Sequence, residues 1–205
     1  MAVFPRNIAP AEPGWPAGPA PLISRSHSSK PQVRSTLAAG VMWSESWAPL
    51  QMSNVAERAF LADVQSFART GIELDIRPFH HRTAKGTIAV DATGAVDGAG
   101  QSGTTLVTDG WSVGGTVKKG DYITVVGVPY ALWIMADATA SGGGSITFTV
   151  DPPVFVGPTQ PLDNAVVTLN GLLRARIVEP PSWPEALQGL EVYRGLRLTF
   201  AESRE

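Results

Sequence analysis

Three short stretches of the chain have residue types that can carry chemistry. Gly98-Ala99-Gly100-Gln101-Ser102-Gly103 spells GxGxxG, the spacing of a dinucleotide-binding loop. Such a loop works by bringing a helix N-terminus up to a pyrophosphate. No helical periodicity follows here, and glycine crowds residues 94–103, so a mobile loop is the expected reading. Gly100-Gln101-Ser102-Gly103, inside it, faintly resembles a serine nucleophile tract. A serine needs an imidazole base. The chain has only His27, in a Pro/Ser-rich arm, and His80-His81, at a domain junction. The third stretch is His80-His81 with Asp75, a set of metal-ligand types. Adjacent side chains on extended backbone point to opposite faces, so a solvated junction is expected there.

Other chemistries are excluded or assigned elsewhere. The chain has no Cys, which removes disulfides, zinc thiolates and thiol nucleophiles. No close carboxylate pair with an apolar pocket signature is present, and Glu57 is assigned to capping a helix. Lys118-Lys119-Gly120-Asp121 reads as a polar β-turn. The expectation is therefore no catalytic, cofactor or metal site, and a structural or binding role.

The composition describes the scaffold that would hold any site. The chain has 205 residues, 17% of them charged, with 21 Gly, 17 Pro and six Trp. Few charges and many turn formers argue against coiled coils and bundles, and 43% hydrophobic residues argue against disorder. A mainly β protein follows. A net charge of −2 implies no basic stripe for gripping phosphates. No apolar run reaches the length of a membrane span, and MAVFPRNIAP lacks the charged and apolar regions of a signal peptide. The protein is expected to be made in the cytoplasm and to stay soluble.

Along the chain, seven prolines make residues 1–31 extended, read first as a floppy tail and otherwise as an arm whose large anchors, Phe4 and Trp15, dock on a neighbour. Residues 32–49 read as a hairpin turning at Ala39-Gly40, with Trp43 and Trp47 on one face. Residues 54–69 form the one convincing helix. Asn54 and Glu57 make a capping box, Phe60, Val64 and Phe67 an apolar stripe, and Gly71 the stop. In the strand that follows, Ile72, Leu74 and Ile76 point inward. From residue 83 the composition shifts to Gly-separated short strands at 87–90, 104–108, 122–126, 130–135 and 145–150, a small barrel closed off by Pro152-Pro153. Residues 165–169 and 172–178 then read as a hairpin about Asn170-Gly171. Leu196, Leu198 and Phe200 alternate in a last strand.

The expected fold is mainly β: a sandwich-like main domain, 32–82 plus 157–205, with one helix at about 54–69. A small β-barrel, 83–156, is inserted into it. Its expected core comprises Trp43, Trp47, Phe60, Val64, Phe67, Ile72, Leu74, Ile76, Leu198 and Phe200. Phe4, Trp15 and Trp111 are the expected interface residues.

Three groups of residues resemble one family. They are Trp43 and Trp47 with Ala59-Phe60-Leu61 and the strand 72–76; the run from Val117-Lys118-Lys119-Gly120-Asp121 through Asp137-Ala138-Thr139 to Ile146-Thr147-Phe148-Thr149-Val150-Asp151-Pro152-Pro153; and Tyr193-Arg194-Gly195-Leu196-Arg197-Leu198-Thr199-Phe200. Together they are similar to the distal tail and minor tail (tail-tip ring) proteins of long-tailed bacteriophages, over residues 30–202. The resemblance implies a structural virion protein without enzyme activity. It would be assembled in the host cytoplasm as a hexameric ring that joins the tail tube protein to the tail hub or baseplate, lets DNA pass unheld and carries fibres outside. It implies no cofactor, no specific nucleic-acid binding and no membrane insertion. Two alternatives stand beside it. One is a carbohydrate- or receptor-binding module stacking sugars on Trp111, Tyr130 and Trp133; the other is a hydrolase with an unrecognised site.

Overall fold

The computed structural model describes residues 2–4, 10, 12–13, 22–25, 31–34, 42–47, 50–51, 54–158, 160–177, 192–193 and 196–202. In chain order the first strands are β1 (Ala2–Val3), β2 (Glu12–Pro13), β3 (Leu22–Arg25), β4 (Pro31–Arg34), β5 (Met42–Ser46) and β6 (Leu50–Gln51). Helix α1 (Val55–Thr70), β7 (Leu74–Ile76) and a 3-10 turn at Phe79–His81 follow. Next come β8 (Thr93–Val96), β9 (Gly103–Asp109), β10 (Thr116–Val117), β11 (Tyr122–Val125), β12 (Leu132–Ile134), β13 (Ala138–Thr139) and β14 (Ile146–Val154). The last are β15 (Val166–Leu169), β16 (Leu173–Ile177), β17 (Val192–Tyr193) and β18 (Arg197–Glu202). The described residues are mainly β, with this one α-helix and a closed six-stranded barrel.

The chain divides into two units, 1–79 with 174–204, and 80–173. The division expected at 82/83 and 156/157 thus moves outward, because β15 is a wall of the barrel and not part of the first unit.

The first unit is built on a six-stranded sheet ordered β1-β7-β16-β18-β5-β2. Local signals set its helix. Asn54 caps it by accepting the Ala56 N–H at 3.0 Å, and its amide donates to Glu57 Oε1 at 2.9 Å. Gly71, at φ 61°, ends it with its N–H on the Phe67 carbonyl. Phe60, Leu61 and Val64 are buried and Phe67 half-buried. Trp47, Leu74, Ile76, Leu198 and Phe200 are buried as expected. Ile72 is not: it is 40% exposed. The chain leaves Gly71 and joins the sheet only at Leu74, so the inward alternation starts one step later than the periodicity suggests.

Phe4 is the larger correction. It is buried within its own unit, 5.2 Å from the Phe200 ring and 5.9 Å from Phe60, with Trp47 and Phe67 also in reach. Parallel pairing of β1 with β7 and a bond from the Phe4 N–H to the Asp75 carbonyl hold it there. An aromatic side chain finds more apolar contact in this cluster than on a neighbour's surface. The backbone of Trp43 lies in β5, opposite Phe200, but its side chain is outside the described residues, as is all of Trp15.

The hairpin expected over 32–49 does not form between those strands. β4 pairs with β3, and β5 pairs with β18 and β2. Nor is Asn170-Gly171 a hairpin turn. β15 pairs with β11 and β8 while β16 pairs with β18, so Asn170, at φ 47°, sits where the chain passes from barrel to sheet.

The barrel order is β11-β12-β14-β9-β8-β15. Inside it lie Val96, Leu106, Ile123, Val125, Leu132, Ile134, Phe148, Val167 and Leu169. The expected strand at 87–90 is irregular, and β8 takes its place in the wall. β8 was concealed by its glycine. A Cβ on Gly94 would lie 2.5 Å from the Trp111 ring, so that position must be bare for the indole to pack on it. β14 runs through Pro152-Pro153 rather than ending there. Its register to β9 is interrupted between Thr149 and Val154, so no regular ladder bond is asked of the prolines.

Candidate functional site

Neighbouring strands of the barrel are all antiparallel, which gives it two distinct ends. Residues 80–92 enter and 170–173 leave at one end, the base, together with the 110–121 and 135–145 connections. The connections 97–102, 126–131 and 155–165 lie at the other end, the tip. The unit's four Lys and Arg residues, Arg82, Lys85, Lys118 and Lys119, all lie in base segments. The tip bears Asp97 and Asp163 with exposed Val126, Val156 and Leu162.

The glycine-rich tip loop is tied down, contrary to the mobile loop expected. Gln101 Nε2 donates to the Asp97 and Val107 carbonyls, and Gln101 Oε1 accepts the Val107 N–H at 2.6 Å. Asp163 accepts the Gly98 N–H, and Gln160 Nε2 donates to the Gly100 carbonyl. The GxGxxG spacing leads into β9 rather than a helix, so it has no anion-binding N-terminus. Ser102 is exposed at the tip whereas His81 is buried at the base, so these two do not form a nucleophile–base pair. Among the described residues no group of three His, Asp or Glu is placed to hold a metal.

The base is a polar construction. Asp121 is fully buried; its carboxylate accepts the Lys118 N–H and the Asn170 amide at 3.1 Å. Asn170 Oδ1 in turn accepts the Tyr122 N–H at 2.9 Å. The Lys118–Asp121 turn is stapled from outside by Asp137, which accepts from Lys118 Nζ at 2.7 Å and from the Lys119 N–H at 2.8 Å. Those two donors hold the exposed Asp137 carboxyl below the usual range. Asn170→Ala is expected to cost roughly 3 kcal/mol in denaturant unfolding, since it removes one of the two bonds to a buried carboxylate and the acceptor of a buried N–H, and leaves alanine at positive φ.

The aromatic residues expected at an interface or on sugars mostly face inward. Trp111 packs edge-on against Phe148 in the barrel core and donates Nε1–H to Thr108. Tyr130 is buried in the same core, its hydroxyl on the Pro153 carbonyl. A glycine beside a tryptophan signals close packing here, not exposure. Trp133 is half-buried on the outer wall, paired across strands with Tyr122.

Sequence reading missed the most unusual group at the base. His81 is 0% exposed, its ring 5.0 Å from Tyr122 and 5.2 Å from Trp133, and neither ring nitrogen has a hydrogen-bond partner. It is not the solvated junction residue expected. Burial first, then Lys85 and His80, hold its pKa down to about 3. Nothing in the local His-His pair signals this, because the burying rings lie more than 40 residues away in sequence. No family model matches the chain, and no curated protein matches it.

Proposed function

We propose that the chain is a structural virion protein of a phage tail tip, whose copies form a hexameric ring joining the tail tube to the hub and leaving a passage for DNA. One observation carries this reading. The segments that resemble tail proteins between 117 and 153 all fall in the barrel unit, as wall strands β11, β12 and β14 and as the β10–β13 pair beside them. Lys118–Asp121 is its base turn, Asp137 the staple on that turn, and the 146–153 run its longest strand. A module of this kind, fixed by buried polar bonds and a closed wall, suits a rigid assembly part. In this reading the ring contacts belong to the first unit. The tied tip loop and its exposed aliphatic neighbours are available to hub or fibre proteins.

Burial of Trp111 and Tyr130 weighs against the sugar-stacking alternative. Native mass spectrometry of the purified protein is expected to give six copies of the 21.6 kDa chain, with rings in negative-stain images. A strict monomer that also fails to join any tail would refute the proposal.

A further inference from the structure

The tip of the barrel presents an aliphatic face with acid beside it. Val156 is 80% exposed and Leu162 76%, the two most exposed large hydrophobic side chains among the described residues. Backbone bonds join this face into one piece. The Ala165 N–H donates to the Leu162 carbonyl at 3.1 Å, and the Val126 N–H to the carbonyl of exposed Val166 at 3.0 Å. Asp163 follows Leu162 and accepts the N–H of Gly98, the residue after Asp97. The tip segments 97–102, 126–131 and 155–165 contain no Lys or Arg. An exposed aliphatic face on a tied frame marks a contact surface, and its two carboxylates select a cationic partner.

The same chain carries a segment of the complementary kind. β3 and β4 form a two-stranded sheet of their own. Their register sets Ile23 opposite Val33 and Arg25 opposite Pro31, positions two residues apart and so on one face. From residue 13 to residue 44 the charged residues are Arg25, Lys30 and Arg34, with no Asp or Glu. A lone two-stranded hairpin is marginal in water and becomes stable when a face of it packs against something. We propose that the β3–β4 hairpin of one copy packs on the barrel tip of a second copy, with Ile23 and Val33 on the aliphatic face and the hairpin's cations by Asp97 and Asp163. Two different surfaces meet, so the contact runs head to tail and can repeat around a ring. It rests on the proposed ring only for that repetition, and it adds a tether from the first unit of one copy to the barrel of the next.

The chain has no Cys, so engineered cysteines report alone. Full-length chains bearing Ile23→Cys and full-length chains bearing Leu162→Cys, one kind isotope-labelled, are mixed at low salt and oxidised, and the linked pairs are weighed by mass spectrometry. Mixed pairs are expected to exceed the sum of like pairs about ten-fold. Asp97 serves the tip loop through main-chain bonds, so its side chain can be changed without loosening the loop. Asp97→Lys in the Leu162→Cys chain should cut mixed pairs about ten-fold, and Arg25→Glu with Arg34→Glu in the Ile23→Cys chain should restore them. Asp97→Asn, of the same shape, should give a smaller loss in the same direction and serves if the lysine variant does not fold. A chain bearing both cysteines should link to other chains. Mixed pairs no commoner than like pairs, closed monomers from the doubly substituted chain, or pairing indifferent to the charge changes would each overturn the tether. Native mass spectrometry of the unlinked native chain separates this from the tail reading. Six copies without mixed pairs would leave the ring and remove the tether, whereas charge-dependent mixed pairs without a six-membered ring would leave the tether and remove the ring.

Discussion

A fragment of residues 80–173 is expected to fold alone, and a fragment of 83–156 is expected not to. The difference is β15. It closes the wall by pairing with β11 on one side, at Ile123, Thr124 and Val125, and with β8 on the other. Without it two strand edges open and the interior loses Val167 and Leu169, both fully buried. Each such side chain contributes about 1.5–3 kcal/mol by burial. The shorter fragment also loses Asn170 from Asp121 and the His81 ring from Tyr122. Those losses together match the whole stability of a small domain, about 5–15 kcal/mol. Amide dispersion in proton NMR spectra and a cooperative melt decide it. A folded 83–156 fragment, or an unfolded 80–173 fragment, would show that the barrel is not the folding unit. By the same reasoning, replacing residues 84–156 of the intact chain with a short linker would leave β15 an orphan strand.

Phe4→Ala should destabilise the first unit by about 3–5 kcal/mol, as much as Phe60→Ala, although residue 4 stands at the start of a proline-rich segment. Phe4 is buried among Trp47, Phe60, Phe67 and Phe200, near-perpendicular to Phe60 and Phe200. Edge-to-face rings add to simple area burial. Removing this side chain leaves a cavity that four other large rings cannot collapse to fill. Urea midpoints measured with unchanged slope give the number directly. Phe4→Leu, which keeps most of the volume, should cost much less. A loss below about 1 kcal/mol for the alanine variant would mean that Phe4 is peripheral to this core.

What the chain's own sequence determined is what depends on near neighbours. Asn54, Glu57 and Gly71 marked both ends of α1, because capping bonds reach only two to four residues along the chain. Alternation marked β18, because a strand with one buried face repeats every second residue wherever its partner comes from, and β-rich runs set between glycines marked β11 and β14. The polar turn at Lys118–Asp121 was legible for the same reason. Tertiary structure alone decided the pairings. A strand carries no local record of its partner, so β5 finds β18 some 150 residues away and β15 goes to the barrel instead of to β16. Gly94 looked like loop until the Trp111 ring was seen to lie on it. Trp111 and Phe4, read as surface anchors, were claimed by two separate cores. His81 meets the rings of Tyr122 and Trp133 because pairing of β11 with β12 brings those two side by side. Burial is a property of what long-range pairing brings together, and no window of neighbouring residues contains it.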